Sequence, residues 1–204
     1  MLTAFTAGLL LITVSELGDK TFFIAMILSM RHSRRLVFVG VVAALAAMTI
    51  LSVAIGQAAS VLPSAWLHWG EIVLFVGFGL KLIYDASQMK AGATCAEVEE
   101  AKQTIERSES KAVQHGIRRG ILLKSFMLTF LGEWGDRTQI ATIALAASNH
   151  AVGVTLGAIA GHTVCAAIAV VSGRMVANYL SERVLTSLGG ALFILFGVVA
   201  IFEP

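Results

Sequence analysis

A charged sextet, Glu16-Leu17-Gly18-Asp19-Lys20-Thr21, interrupts an apolar run that begins at the second residue, and it returns as Glu133-Trp134-Gly135-Asp136-Arg137-Thr138. A charged side chain at the centre of a membrane helix costs about 2.5–3.5 kcal/mol, so an ionisable cluster there marks a functional site by default. This chain carries that cost twice, and its fold has to shelter both clusters.

The rest of the sequence explains why the cost is a membrane cost. Of 204 residues, 57% are hydrophobic and 14% are charged, and the mean hydropathy is +0.82; an ordinary soluble domain is excluded. The net charge of +2 is too small to suggest a nucleic-acid partner, and the basic residues sit mostly in two short segments rather than along a stripe, so none is expected. Cys95 lies in a polar stretch and Cys165 in an apolar one, so neither a disulfide nor a paired-cysteine metal site is expected. No Lys or Arg precedes the first apolar run, and Glu16 and Asp19 stand where a signal peptide would need small residues, so it reads as a retained span.

Six stretches have the roughly 20 apolar residues that a crossing needs: Leu2 to Met30, Leu36 to Gly56, Gly70 to Met89, Ile121 to Ala147, Val152 to Gly173, and Leu185 to Phe202. The first and fourth are too long for a straight crossing and carry the acidic sextets near their centres, so tilting, kinking or unwinding is expected. Gly18 and Gly135 are the weak points, read either as hinges or as small residues at helix contacts. Arg31, Arg34, Arg35 and the segment from Lys90 to Arg119 lie on one side of the spans, together with Arg174 and Arg183; the connections from Gln57 to Trp69 and from Ser148 to Ala151 hold no charge. Excess Lys and Arg mark the cytoplasmic side, which puts both termini outside and Trp66, His68 and Trp69 at an outer interface. The segment from Ala91 to Arg119 interleaves acids with bases and reads as a solvated connector, partly helical or disordered, with metal sensing by its acids as the alternative.

The two sextets belong to a longer repeat. At a separation of 117 positions Glu16 matches Glu133, and the same shift matches Val37 with Val154, Gly40 with Gly157, Ala43 with Ala160, Val53 with Val170 and Gly56 with Gly173. One extra residue then aligns Phe75 with Phe193 and Gly79 with Gly197. The expected fold is therefore an all-α membrane protein of six transmembrane helices built as two inverted three-helix repeats, residues 1–89 and 120–204, joined by a cytoplasmic linker over 90–119. An odd number of spans per half makes the second copy enter from the opposite face, the arrangement in which transporters bind substrate near the midplane between halves.

The chemistry follows from residue type. In helical geometry Glu16 and Asp19 share a face, as do Glu133 and Asp136. Four convergent carboxylates are hard oxygen ligands suited to magnesium, calcium or manganese. Lys20 and Arg137 offset part of the charge, while Thr21, Thr138, Ser15 and Gln139 offer neutral oxygens or supporting hydrogen bonds. The structural alternative is self-neutralisation, Glu16 with Lys20 and Glu133 with Arg137, which leaves Asp19 and Asp136 unexplained. Lys81 and Asp85 read as an interfacial ion pair. His162 faces Leu45 in the repeat, so only one half has it; it reads as a buried hydrogen-bonded histidine, with proton relay or metal contact as alternatives.

Paired Glu-x-Gly-Asp-(Lys/Arg)-Thr motifs in the first and fourth spans of a duplicated six-span chain resemble the Gdt-type cation/proton exchangers, a family of manganese and calcium transporters. Both copies fit the motif and the resemblance covers nearly the whole chain. It implies metal binding by Glu16, Asp19, Glu133 and Asp136, with Lys20, Thr21, Arg137, Thr138, Gln139, Gly18 and Gly135 in support. It further implies, without a resident cofactor, Mn2+ export in a bacterium or Mn2+ or Ca2+ loading against protons in a eukaryotic organelle; the short chain with no apparent transit peptide favours the bacterial plasma membrane. A cation channel would use the same acids without proton coupling. A membrane-embedded metal enzyme would need a nucleophile or a metal site with a general base, and no Ser-His or His-Glu-x-x-His constellation occurs; an assembly scaffold would not respond to metal.

Overall fold

The computed structural model describes residues 1–89, 96–109, 117–177 and 182–202. These form helices in the order α1 (Leu2–Glu16), α2 (Lys20–Arg31), α3 (Arg34–Ala59), α4 (Ser64–Gln88), α5 (Ala96–Glu109), α6 (Ile117–Gly132), α7 (Arg137–Ser148), α8 (Ala151–Ala177) and α9 (Glu182–Phe202). Among the described residues, α3, α4 and the segments Ala151–Val171 and Arg183–Phe202 are long and apolar enough to cross a membrane, and Leu2–Glu16 and Gly120–Gly132 are shorter apolar helices. Large apolar side chains such as Val39, Ile50, Leu80, Val171 and Leu195 stay exposed on the outer faces. Such a surface suits lipid rather than water, and the chain is an all-α, multi-pass membrane protein.

The first and fourth apolar stretches are not continuous helices. Each breaks inside its sextet, giving α1 then α2 and α6 then α7. Among the described glycines only Gly18 and Gly135 have positive φ, 81° in both cases. Both are therefore turn residues, and Glu and Asp of each motif do not share a helix face; Gly18 also lies against Leu185 of α9, whose Cδ1 would stand 2.5 Å from an added Cβ, whereas one on Gly135 would meet nothing within 4 Å.

The halves interlock. α1 packs along α8 and α3 along α6, while α3 also meets α7 and α8, and α4 pairs with α9. Small residues set the approach: a Cβ on Gly157 would lie 2.1 Å from Phe5 O, and one on Gly40 would lie 2.7 Å from Leu122 O. These glycines are repeat equivalents, and each seats a helix of the other half against bare backbone. Gly157→Ala should therefore lower stability by about 1–3 kcal/mol or more, as overpacking a rigid contact does, read as a fall in the thermal midpoint of the purified protein. The α4–α9 seam is aromatic, with Phe75 and Phe193, also repeat equivalents, edge to face at 5.9 Å.

The described part of the linker, Ala96–Glu109, is helical, in keeping with a partly helical connector, but one face of it is buried rather than solvated. Val98, Ala101 and Ile105 recur at helical spacing on α5, and Ala101 and Ile105 are 0% exposed against a cluster that includes Phe22, Phe23 and Val41. α5 thus docks on α2 by one apolar stripe, as an amphipathic helix does. Cys95 and the connections on either side of α5 lie outside the described residues. Lys81 and Asp85 do not pair; Lys81 is exposed, and Asp85 lines a cavity of about 110 Å3 with Ser15, Gly18, Leu82, Arg137 and Leu185.

Candidate cation site

Each motif folds as a turn between two helices. Leu17 has φ −65° and ψ 114°, Gly18 follows at φ 81°, and Asp19 N donates to Glu16 O at 3.2 Å. That sequence of angles with an i to i+3 hydrogen bond is a type II turn, whose third position demands positive φ and hence glycine. In the second motif Asp136 N donates to Glu133 O at 3.1 Å over Gly135 at the same φ. Glu16 closes α1 and Asp19 caps α2; Glu133 follows α6 and Asp136 caps α7. Broken helices of this kind bring the ends of half-helices to one place, where helix N-termini favour negative charge and freed carbonyls favour cations.

The turns bring acids of both halves together. One oxygen each of Glu16, Asp19 and Asp136 lie within 4.8 Å of one another. Glu16 and Glu133 are each 2% exposed and Asp19 is 7% exposed. Thr21 Oγ1 donates to Glu16 Oε2 at 3.1 Å. In the same way Thr138 Oγ1 lies 3.1 Å from Glu133 Oε2, and also 3.1 Å from Asp136 Oδ2; its single proton serves one of them at a time. The other oxygens, Glu16 Oε1 and Glu133 Oε1, are buried without a hydrogen-bond partner. Leaving a buried carboxylate oxygen unpaired costs free energy, and a bound cation would satisfy it.

Self-neutralisation within each motif does not occur. Arg137 Nη2 reaches across to Asp19 Oδ1 at 2.8 Å, and Lys20 Nζ turns outward to Glu100 of α5 at 2.5 Å. The break of each helix removes the four-residue spacing on which pairing within the motif depended. Gln139 serves the turn: its Oε1 accepts from Gly135 N at 2.7 Å, and its Nε2 donates to Met48 Sδ at 3.0 Å. Ser15 Oγ and Thr129 Oγ1 are buried without a hydrogen-bond partner. His162 is buried in α8 with Nδ1 3.8 Å from Glu16 Oε1. Nδ1 makes no hydrogen bond. Cys165 Sγ donates to Thr13 O at 3.3 Å.

Two residues escaped the sequence reading. Glu100 was one acid among many in a mixed-charge linker, and nothing local singles it out. Glu71 had a usable signal, a carboxylate at the start of an apolar span. It is 7% exposed and lines a cavity of about 300 Å3 with Thr3, Thr6, Leu10, Phe75 and Asn149. That cavity and the one at Asp85 lie toward opposite ends of α1, α4 and α9.

The family model for the divalent cation/proton antiporter GDT1 matches residues 4–90 and 121–204. The chain belongs to the GDT1 family. A GDT1-like protein of Synechocystis sp. is 60% identical over 98% of this chain and 97% of its own length. GDT1-like protein 5 of Arabidopsis thaliana is 40% identical over 100% of this chain and 97% of its own. The chloroplastic PAM71-homolog of Arabidopsis thaliana is 42% identical over 98% of this chain and 59% of its own. No solved structure matches the chain. Membership in the GDT1 family makes the chain a divalent-cation transporter of the membrane and not an enzyme.

Proposed function

We propose that the chain exports Mn2+ from the cytosol in exchange for protons, by alternating access around a site built from Glu16, Asp19, Glu133 and Asp136. The observation that carries this reading is the convergence of Glu16, Asp19 and Asp136 from two separate helix breaks to within 4.8 Å. Oxygens around an ion with bonds of roughly 2.1–2.4 Å stand about 3 to 5 Å apart, so this spacing suits a hard divalent cation. Glu133 is not one of the three that meet at this distance; its assignment to the set rests on its burial and its unpartnered Oε1.

The proposed architecture is two inverted repeats, residues 1–89 and 120–204, each with three crossings. The broken pairs α1–α2 and α6–α7 act as single interrupted spans, and α3, α4, α8 and α9 supply the others. With Lys- and Arg-rich segments cytoplasmic, the cavity at Asp85 faces the cytosol and the cavity at Glu71 faces outward. The exposed Trp66 and Trp69 then lie at the outer interface, and the setting is a bacterial plasma membrane. α4 and α9 pack on α1 and α7, and rocking of this pair would open one cavity as it closes the other.

Protons and metal compete for the same carboxylate oxygens, since a ligand has to be deprotonated to bind metal. Metal affinity should therefore fall as pH falls, and an inward proton gradient should drive metal outward. Proteoliposomes with an imposed pH gradient test this: Mn2+ should move opposite to the proton gradient and stop when the gradient is collapsed by an ionophore. Fast flux indifferent to the gradient would mean a channel. No metal flux under any gradient would defeat the transport reading of this site.

A further inference from the structure

We propose that Glu100, in the linker helix, sets the affinity of the site for its cation by holding Lys20 away from Asp136. The inference rests on the proposed metal role of the four acids. Its starting point is a broken equivalence between the halves. The cation of the second motif, Arg137, crosses to the aspartate of the first, Asp19, at 2.8 Å. The corresponding pair would be Lys20 with Asp136. It does not form: Lys20 Nζ sits on Glu100 Oε1 at 2.5 Å, and Asp136 instead accepts from Thr138 N at 3.3 Å and faces Thr138 Oγ1.

The cause lies in the linker. Ala101 and Ile105 anchor α5 on α2, and this places Glu100 beside the first residue of α2. α5 lies in the segment between the halves, outside both repeats. Among the described residues, one cation of the two motifs, Arg137, is bonded to an acid of the site, and the other, Lys20, is bonded to Glu100. Asp136 keeps an oxygen in the group it shares with Glu16 and Asp19, where an ammonium ion would compete with a divalent ion for the same lone pairs. Glu100 is thus a positioning residue that acts through Lys20, and its carboxylate is 58% exposed on the side chain, so its neutral isostere leaves no buried hole.

The test measures Mn2+-induced thermal stabilisation of the purified full chain, with Mn2+ alone as the probe. In Glu100→Gln the released Lys20 should turn to Asp136 and raise the Mn2+ concentration for half-maximal stabilisation at least tenfold, with the metal-free midpoint nearly unchanged. In Lys20→Met the concentration should not rise, and Glu100→Gln added to Lys20→Met should have no further effect. An affinity for Glu100→Gln within twofold of the parent would overturn the proposal, as would an equal loss with and without Lys20. A parent protein that Mn2+ does not stabilise would instead defeat the metal reading of the site, so the two failures are distinguishable.

Discussion

Glu16→Gln and Glu133→Gln should each reduce Mn2+ transport by more than 100-fold while the protein still folds. Glutamine keeps the volume of the side chain and the oxygen to which Thr21 or Thr138 donates, so packing is preserved. What it removes is the negative charge, and with it the competition between metal and proton on which exchange depends. The two carboxylates are 2% exposed, each with one oxygen lacking a hydrogen-bond partner. Taking a charge out of such a place does not weaken the fold; the thermal midpoint without metal should stay level or rise. Flux into proteoliposomes, read beside that midpoint, separates loss of function from loss of fold. Undiminished transport by both variants would remove these residues from the mechanism.

Gly135→Ala should cost transport at least tenfold for a different reason. A Cβ at Gly135 meets no heavy atom within 4 Å, so crowding is not the issue. The backbone there has a φ of 81°. For an L-residue with a side chain, a left-handed angle of this kind carries about 1–2 kcal/mol of strain. Relief of that strain would unmake the type II turn, swing Asp136 relative to Glu133 and disperse the oxygens. Gly77 is the internal control: it lies in α4, an added Cβ would meet nothing within 4 Å, and its φ is not positive. There alanine should leave transport intact and add up to about 1 kcal/mol of helix stability. Equal behaviour of the two variants in the flux assay would mean that the turn geometry is irrelevant to transport.

The sequence showed the motifs, their duplication and most helix positions because all three are written in residue type and spacing. Glu16 and Glu133 stand out against apolar neighbours, and matched glycines such as Gly40 and Gly157 repeat with them. The local geometry was less legible. A glycine inside an apolar run serves equally as a hinge or a helix contact, and only the backbone angle at Gly18 and Gly135 separates the two. Reading Glu16 and Asp19 as helical neighbours placed them correctly close together but by the wrong route, since the turn supplies the proximity.

Partners across the fold were beyond reach. Arg137 with Asp19, and Lys20 with Glu100, link residues 118 and 80 positions apart, and the repeat itself favours a symmetric pairing that the linker helix breaks. The docking of α5 was hidden because its apolar stripe is short, three residues among many charges. Glu71 was overlooked although its signal was of the same kind as the motifs, a carboxylate in an apolar span.

On the proposed reading the two motifs form one site. Mn2+ titration of the purified protein, followed by the loss of the free-ion electron paramagnetic resonance signal, tests it most directly. One site should yield a single tight Mn2+ per chain, lost from Glu16→Gln and lost equally from Glu133→Gln. Two tight ions per chain, with each variant keeping one of them, would contradict the account.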